Sequence, residues 1–213
     1  LTKFVRNGIS LGVMASHGGS NLQAIMDACA DGRVNGNVCV VISNNSRSRS
    51  LRRARAVGVP ALHLSSATHP DPERLQTAIR SSLRKYDVDL VILAGYMRKV
   101  GAPILEAFSN RVLNSHPSLL PSYGGKGMYG DRVHSAVLKA GDDESGISIH
   151  LADDEYDHGR VIAQVGIEVK PTDDLNALRE RIQIKEHSFW VETIQKICTG
   201  EINLDESSLE RLV

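Results

Sequence analysis

The stretch Leu90 to Ala94, LVILA, constrains the fold more than any other. A strand with one face in water alternates apolar and polar residues. A near-continuous apolar run is instead the pattern of a central parallel strand covered by helices on both faces. Val38 to Ile42 (VCVVI) repeats it, and Ile9 to Ser16 (ISLGVMAS) is a third such run that ends in small residues. Helical periodicity fills the gaps between them. Leu22, Ile25, Met26 and Cys29 recur at helical spacing up to Gly32, and Leu75, Ala78, Ile79 and Leu83 share one face of a helix over Glu73 to Tyr86. Pro60 to Ser65 reads as a further strand, and a helix is expected from Ala102 to Phe108. Strands alternating with helices in this way predict an α/β fold with a doubly wound, mostly parallel, Rossmann-like sheet.

The second half adds a helix at Asp131 to Lys139, a half-buried strand at Ile147 to Leu151, and a strand at Arg160 to Val169. The short acidic turn between the two strands predicts an antiparallel hairpin at one sheet edge. A last helix is expected from Asp173 to Ile197, so one domain spans 9–200 and residues 201–213 form a weakly packed tail.

Charge excludes several function classes. Lys plus Arg and Asp plus Glu both total 25, so no global field draws in nucleic acid or an anionic membrane. Arg47, Arg49, Arg52, Arg53 and Arg55 form a basic run on a helix ending at Gly58, but with no aromatic residues interleaved it reads as a solvated face. Cys29, Cys39 and Cys198 are far apart with no CxxC spacing, which fits small buried side chains in a reducing compartment. No apolar run approaches the ~18 residues needed to cross a bilayer. Residues 1–8 lack the apolar core of a signal peptide, so the cytoplasm is the expected location.

In doubly wound sheets ligands bind where strands end at their carboxyl side. Three exits stand out: Gly18 to Asn21, Met97 to Val100, and Asn114 to His116. The last belongs to RVLNSHPSLLP (Arg111 to Pro121), where Asn114 and His116 lie two apart and so project from one face of a strand that Pro117 ends. An amide can donate to a developing oxyanion, and an imidazole carries a proton near neutral pH. Gly18-Gly19-Ser20-Asn21 precedes a helix, a layout that either cradles an anion on free backbone N–H groups or is a plain turn. Ser20 with Gln23 makes an S-x-x-Q capping box, which starts the helix at Ser20. The eight histidines show no metal-ligand spacing, and no G-x-S-x-G marks a nucleophilic serine. Asp157, before a His-Gly turn, is the carboxylate that can face the same crevice and favour a charged imidazole; the alternative is an Asx-turn.

Together GSNLQA (Gly19 to Ala24), ISN (Ile42 to Asn44), LAGYMR (Leu93 to Arg98), NSHPSLLP (Asn114 to Pro121) and DDEYDHGRVI (Asp153 to Ile162) resemble the glycinamide ribonucleotide (phosphoribosylglycinamide) formyltransferases of purine biosynthesis. The resemblance covers residues 10–200. It implies direct transfer of a formyl group from the co-substrate 10-formyltetrahydrofolate to the amine of glycinamide ribonucleotide, without a metal, by a monomer or homodimer. By that likeness Asn114, His116 and Asp157 are catalytic, and Gly19, Ser20 and Asn21 hold the substrate's phosphate. Met97, Arg98, Lys99 and Val100 line the folate pocket, Glu186 contacts the ribonucleotide, and the Leu120–Pro121 bond is cis. A 10-formyltetrahydrofolate hydrolase would carry an extra N-terminal domain, and a methionyl-tRNA formyltransferase an RNA-binding one; a silent binding module is the alternative from another class. Two departures stand out: His17 replaces a family glycine, and a folate-contacting arginine is replaced by Pro72, with Arg74 nearby. Lys126, in the glycine-rich loop Tyr123 to Gly130, receives no role.

Overall fold

The computed structural model describes residues 8–205 and 210–211. In chain order the elements are β1 (Ile9–Met14), α1 (Ser20–Ala30), β2 (Gly36–Ser43), α2 (Arg49–Ala56), β3 (Ala61–His63), α3 (Pro72–Lys85), β4 (Leu90–Leu93) and α4 (Ala102–Ala107). There follow β5 (Val112–His116), α5 (Asp131–Ala140), β6 (Glu144–Leu151), β7 (Val161–Glu168), α6 (Leu175–Thr199) and the two-residue β8 (Glu210–Arg211). The strands form one sheet in the order β3-β2-β1-β4-β5-β6-β7-β8. Pairing is parallel from β3 across to β5, and antiparallel for β5 with β6 and β6 with β7. The expected hairpin is therefore β6–β7, with β8 added in parallel outside it.

β4 shows why the sheet is doubly wound. Leu90 and Ile92 pack into a core shared with α1, α2, α5 and α6, while Val91 and Leu93 pack on the other face with Ile79 and Leu83 of α3 and Ile104 of α4. Both sets are buried, as an uninterrupted apolar strand requires. β2 and β3 lie to one side of β1 and β4 to the other, so the loops leaving β1 and β4 diverge. That opens a crevice at the carboxyl ends, the topological switch point.

Three expectations need correction. The Ser20–Gln23 capping box does not form. The N-cap of α1 is Gly19 in the left-handed region (φ 69°, ψ 36°) with no side-chain cap, and the Gln23 side chain bonds Asp27 and Arg53 instead. Ile147 to Leu151 is not half-buried, because both of its faces are covered. Its polar residues Ser148 and His150 are 0% and 2% exposed; Ser148 donates to the Ser118 carbonyl of a neighbouring loop and His150 to the Leu151 carbonyl of its own strand, which alternation alone does not reveal. Finally, the chain after Gly200 is not weakly packed where it is described. Ile202 and Leu204 join the core, and Asp205 forms an ion pair with Arg111. The rest of the expected tail, apart from Glu210 and Arg211, lies outside the described residues.

Candidate active site

Register brings the site together. On β5, Asn114 and His116 project from the α3–α4 face while Ser115 projects from the other, and on β6 the residues directly opposite Asn114 and His116 are His150 and Ser148. Asn114 Nδ2 lies 3.1 Å from His150 Nε2. His150 Nδ1–H donates to the Leu151 carbonyl at 2.9 Å, which fixes the ring with Nε2 toward Asn114 and Asp157. Sequence reasoning missed His150. Its one local trace was the alternation in ISIHL, and only the cross-strand register places it beside Asn114.

Asp157 comes from the β6–β7 connection. Its Oδ2 lies 3.3 Å from His116 Nδ1, and its Oδ1 lies 3.5 Å from His150 Nε2. Gly125 N–H donates to Oδ2 at 3.1 Å. The turn that delivers Asp157 needs Gly159, because a Cβ there would sit 1.9 Å from the Leu151 carbonyl oxygen. Burial alone pushes the Asp157 carboxyl up. Hydrogen bonds from His116 and His150, the charge of His116 and the Gly125 N–H outweigh it and hold the group well below the usual carboxylate range. His116 Nε2 faces the Tyr123 carbonyl at 2.8 Å, so both ring nitrogens meet oxygen acceptors, and only the imidazolium can donate to both. Tyr123 and Asp157 both have φ of 56°, a left-handed conformation that is strained for tyrosine and tolerated by aspartate. Leu120–Pro121 is cis. The turn around it is tied to the sheet by Ser148, which accepts from Leu120 N–H, and by Gln164, which donates to the Leu120 carbonyl.

Glu186 sits on the opposite face of β5, where Ser115 donates to it at 2.5 Å and Trp190 Nε1–H donates to Ser115 at 3.2 Å. It is therefore linked to the β5 strand through the residue between Asn114 and His116. Across the switch point, Gly19, Ser20 and Asn21 form the first turn of α1, whose leading N–H groups have no partner within the helix. Asn21 is 9% exposed, and its Oδ1 is buried without a hydrogen-bond partner among the described residues. Ser16 joins three strand exits: its hydroxyl donates to Asn44, it accepts from Met97 N–H, and its own N–H donates to the Gly95 carbonyl.

Residues 10–194 match the formyl transferase family. Curated relatives include the chloroplastic phosphoribosylglycinamide formyltransferase of Arabidopsis thaliana, 40% identical over 93% of this chain and 68% of that protein. The phosphoribosylglycinamide formyltransferase of Escherichia coli K12 is 34% identical over 92% of this chain and 90% of its own length. The chain belongs to the formyl transferase family. Among solved structures, glycinamide ribonucleotide transformylase 1 from Symbiobacterium toebii superposes with a TM-score of 0.85 at 40% identity, covering 94% of this chain and 92% of that one. A formyltetrahydrofolate deformylase from Pseudomonas syringae shares the fold at 20% identity and a TM-score of 0.79, over 91% of this chain and 62% of that one.

In this formyl transferase the segment Met97 to Val100 divides by exposure. Met97, Arg98 and Lys99 are exposed, while Val100 packs into the core with Ile104 and Phe108. Arg98 and Lys99 border a cavity of about 240 Å³ that also touches Asn44, His69, Pro72 and Tyr96. Arg74 is exposed on α3 and is not part of that wall. Among the described residues, no group of three His, Cys, Asp or Glu side chains is placed to hold a metal ion, and no helix is long and apolar enough to cross a membrane.

Proposed function

We propose that the enzyme transfers the formyl group of 10-formyltetrahydrofolate to the amine of glycinamide ribonucleotide. The observation that carries this reading is the cluster of Asn114, His116, His150 and Asp157 at the end of β5, on the crevice that the first turn of α1 also borders. The amine nitrogen attacks the formyl carbon, a new C–N bond forms, and the bond from that carbon to the folate nitrogen breaks. The proton lost by the amine ends on that folate nitrogen. Charge grows on the formyl oxygen in between, and Asn114 Nδ2–H and protonated His116 donate to it; one such donor is worth about 3–4 kcal/mol. Asp157, ionised and fixed by Gly125 N–H, orients His116 through Nδ1 and helps relay the amine proton through water. For His116 Nε2–H to reach a substrate oxygen, its bond to the Tyr123 carbonyl must exchange, which makes the start of the glycine-rich loop part of the catalytic cycle.

Ser20, Asn21 and Gly19 receive the phosphate, Glu186 the ribonucleotide, and Met97 to Lys99 with the backbone of Val100 border the folate. The three free cysteines support a cytoplasmic, reducing setting. The test follows folate absorbance with 10-formyltetrahydrofolate in the presence and absence of glycinamide ribonucleotide. Turnover only with the ribonucleotide is the expected result. Equal turnover without it would identify a hydrolase, and none in either case would identify a binding module.

A further inference from the structure

We propose that Arg53, in the basic run of α2, is a positioning residue for the phosphate turn and supplies its unneutralised positive charge. The inference rests on the reading of Gly19 to Asn21 as the phosphate site. Ser50 and Arg53 are three residues apart and so share one face of α2. Ser50 uses its N–H at 3.2 Å and its hydroxyl at 3.0 Å on the His17 carbonyl. Arg53 uses Nε on the Gly18 carbonyl at 3.0 Å and Nη1 on Gln23 Oε1 at 2.9 Å. Two consecutive carbonyls of the turn are thereby held toward α2. An anion at the start of α1 gains from N–H groups and is repelled by carbonyl oxygens, so turning His17 and Gly18 in this direction is what a phosphate turn needs.

The packing admits little slack. Gly19 has φ of 69°, and a Cβ there would meet the Ser50 hydroxyl at 2.9 Å and Ser50 Cα at 3.0 Å, so the turn rests directly on α2. The Arg53 hydrogen bonds at this turn run to a backbone carbonyl and a neutral amide, so no carboxylate in them cancels its charge. The same bond to Gln23 accounts for the missing capping box, since the side chain that would have reached back over the helix end is held by Arg53.

The test compares Arg53→Gln and Arg53→Lys with the wild type in steady-state kinetics, in competitive inhibition by inorganic phosphate, and in thermal melts with and without phosphate. Removing a charged donor predicts that Arg53→Gln raises both KM for glycinamide ribonucleotide and Ki for phosphate by about tenfold. It leaves kcat and the folate KM within about twofold, and Arg53→Lys recovers part of the phosphate affinity because it restores the charge. Unchanged KM and Ki in Arg53→Gln would overturn the proposal. So would a fall in kcat with both KM values shifted and no recovery by lysine, the signature of a purely structural residue. Should Arg53→Gln fail to fold, Gln23→Ala, which frees one anchor and keeps the charge, is expected to raise the same KM about threefold, and an unchanged KM there would count against the proposal. A wild type that does not formylate the ribonucleotide would sink the functional reading alone. The phosphate-induced rise in Tm, lost in Arg53→Gln or retained, would then still decide the role of Arg53.

Discussion

Asn114 is held by its neighbour across the sheet: His150 Nδ1–H donates to the Leu151 carbonyl, which turns Nε2 toward the Asn114 amide. In the proposed mechanism, truncating Asn114 to alanine removes an oxyanion donor and leaves His150 in place. The expected cost is about 10²–10³ in kcat with an unchanged fold, read by steady-state kinetics and circular dichroism. Contacts with His116, His150 and the Gly125 N–H give Asp157 its ionised state. Its carboxyl is held well below the usual range, so it stays charged at any pH at which the enzyme would be assayed, and Asp157→Asn should lower kcat across the whole profile. Asn114 and His116 were legible in the sequence because i and i+2 share a strand face, a local rule. His150 was not, since its place beside Asn114 depends on a register 36 residues away. Gly125 and Tyr123, which bond Asp157 and His116, were hidden for the same reason.

At the level of elements, each strand and helix was legible where it answered to one demand. β4 needed cover on both faces and announced it, and α3 carried its apolar stripe. The errors fell where a second demand overrode the first, as at the start of α1, where α2 rather than Ser20 satisfies the turn. The start of α6 offers an acid test. Asp173 bonds Arg181 at 2.6 Å and accepts from Lys170 N–H at 2.8 Å, and these contacts draw its pKa down to about 2. A depressed carboxylate stabilises the fold above its unfolded pKa of about 3.9, and that contribution is lost as pH falls toward the folded value. The Tm gap between wild type and Asp173→Asn should be constant above about pH 5 and close between about pH 4 and 2. A gap that persists at pH 2 would contradict it.

Over the whole molecule, burial decides what the sheet exposes. Cys29, Cys39 and Cys198 are pushed up to about 11, chiefly by burial, so a thiol reagent at neutral pH should label the native protein slowly and the denatured protein at all three positions. Leu204 is 5% exposed beyond the last helix, and Leu204→Ala should cost about 2–3 kcal/mol in a denaturant titration, whereas a weakly packed tail would lose almost nothing. The parallel order of β3 to β5 and the β6–β7 hairpin followed from strand spacing and turn length, while the packing of the chain after Gly200 did not, because two leucine-type anchors in a polar segment carry no periodicity. The arrangement of the whole sheet serves one crevice, with the first turn of α1 on one side and the end of β5 on the other. The most direct measurement is the single-turnover rate of 10-formyltetrahydrofolate loss with glycinamide ribonucleotide present and absent, for wild type and for Asn114→Ala. The expected rate depends on the ribonucleotide and falls at least about a hundredfold in the variant. Loss of formyl group at the same rate without the ribonucleotide, or an unimpaired Asn114→Ala, would contradict it.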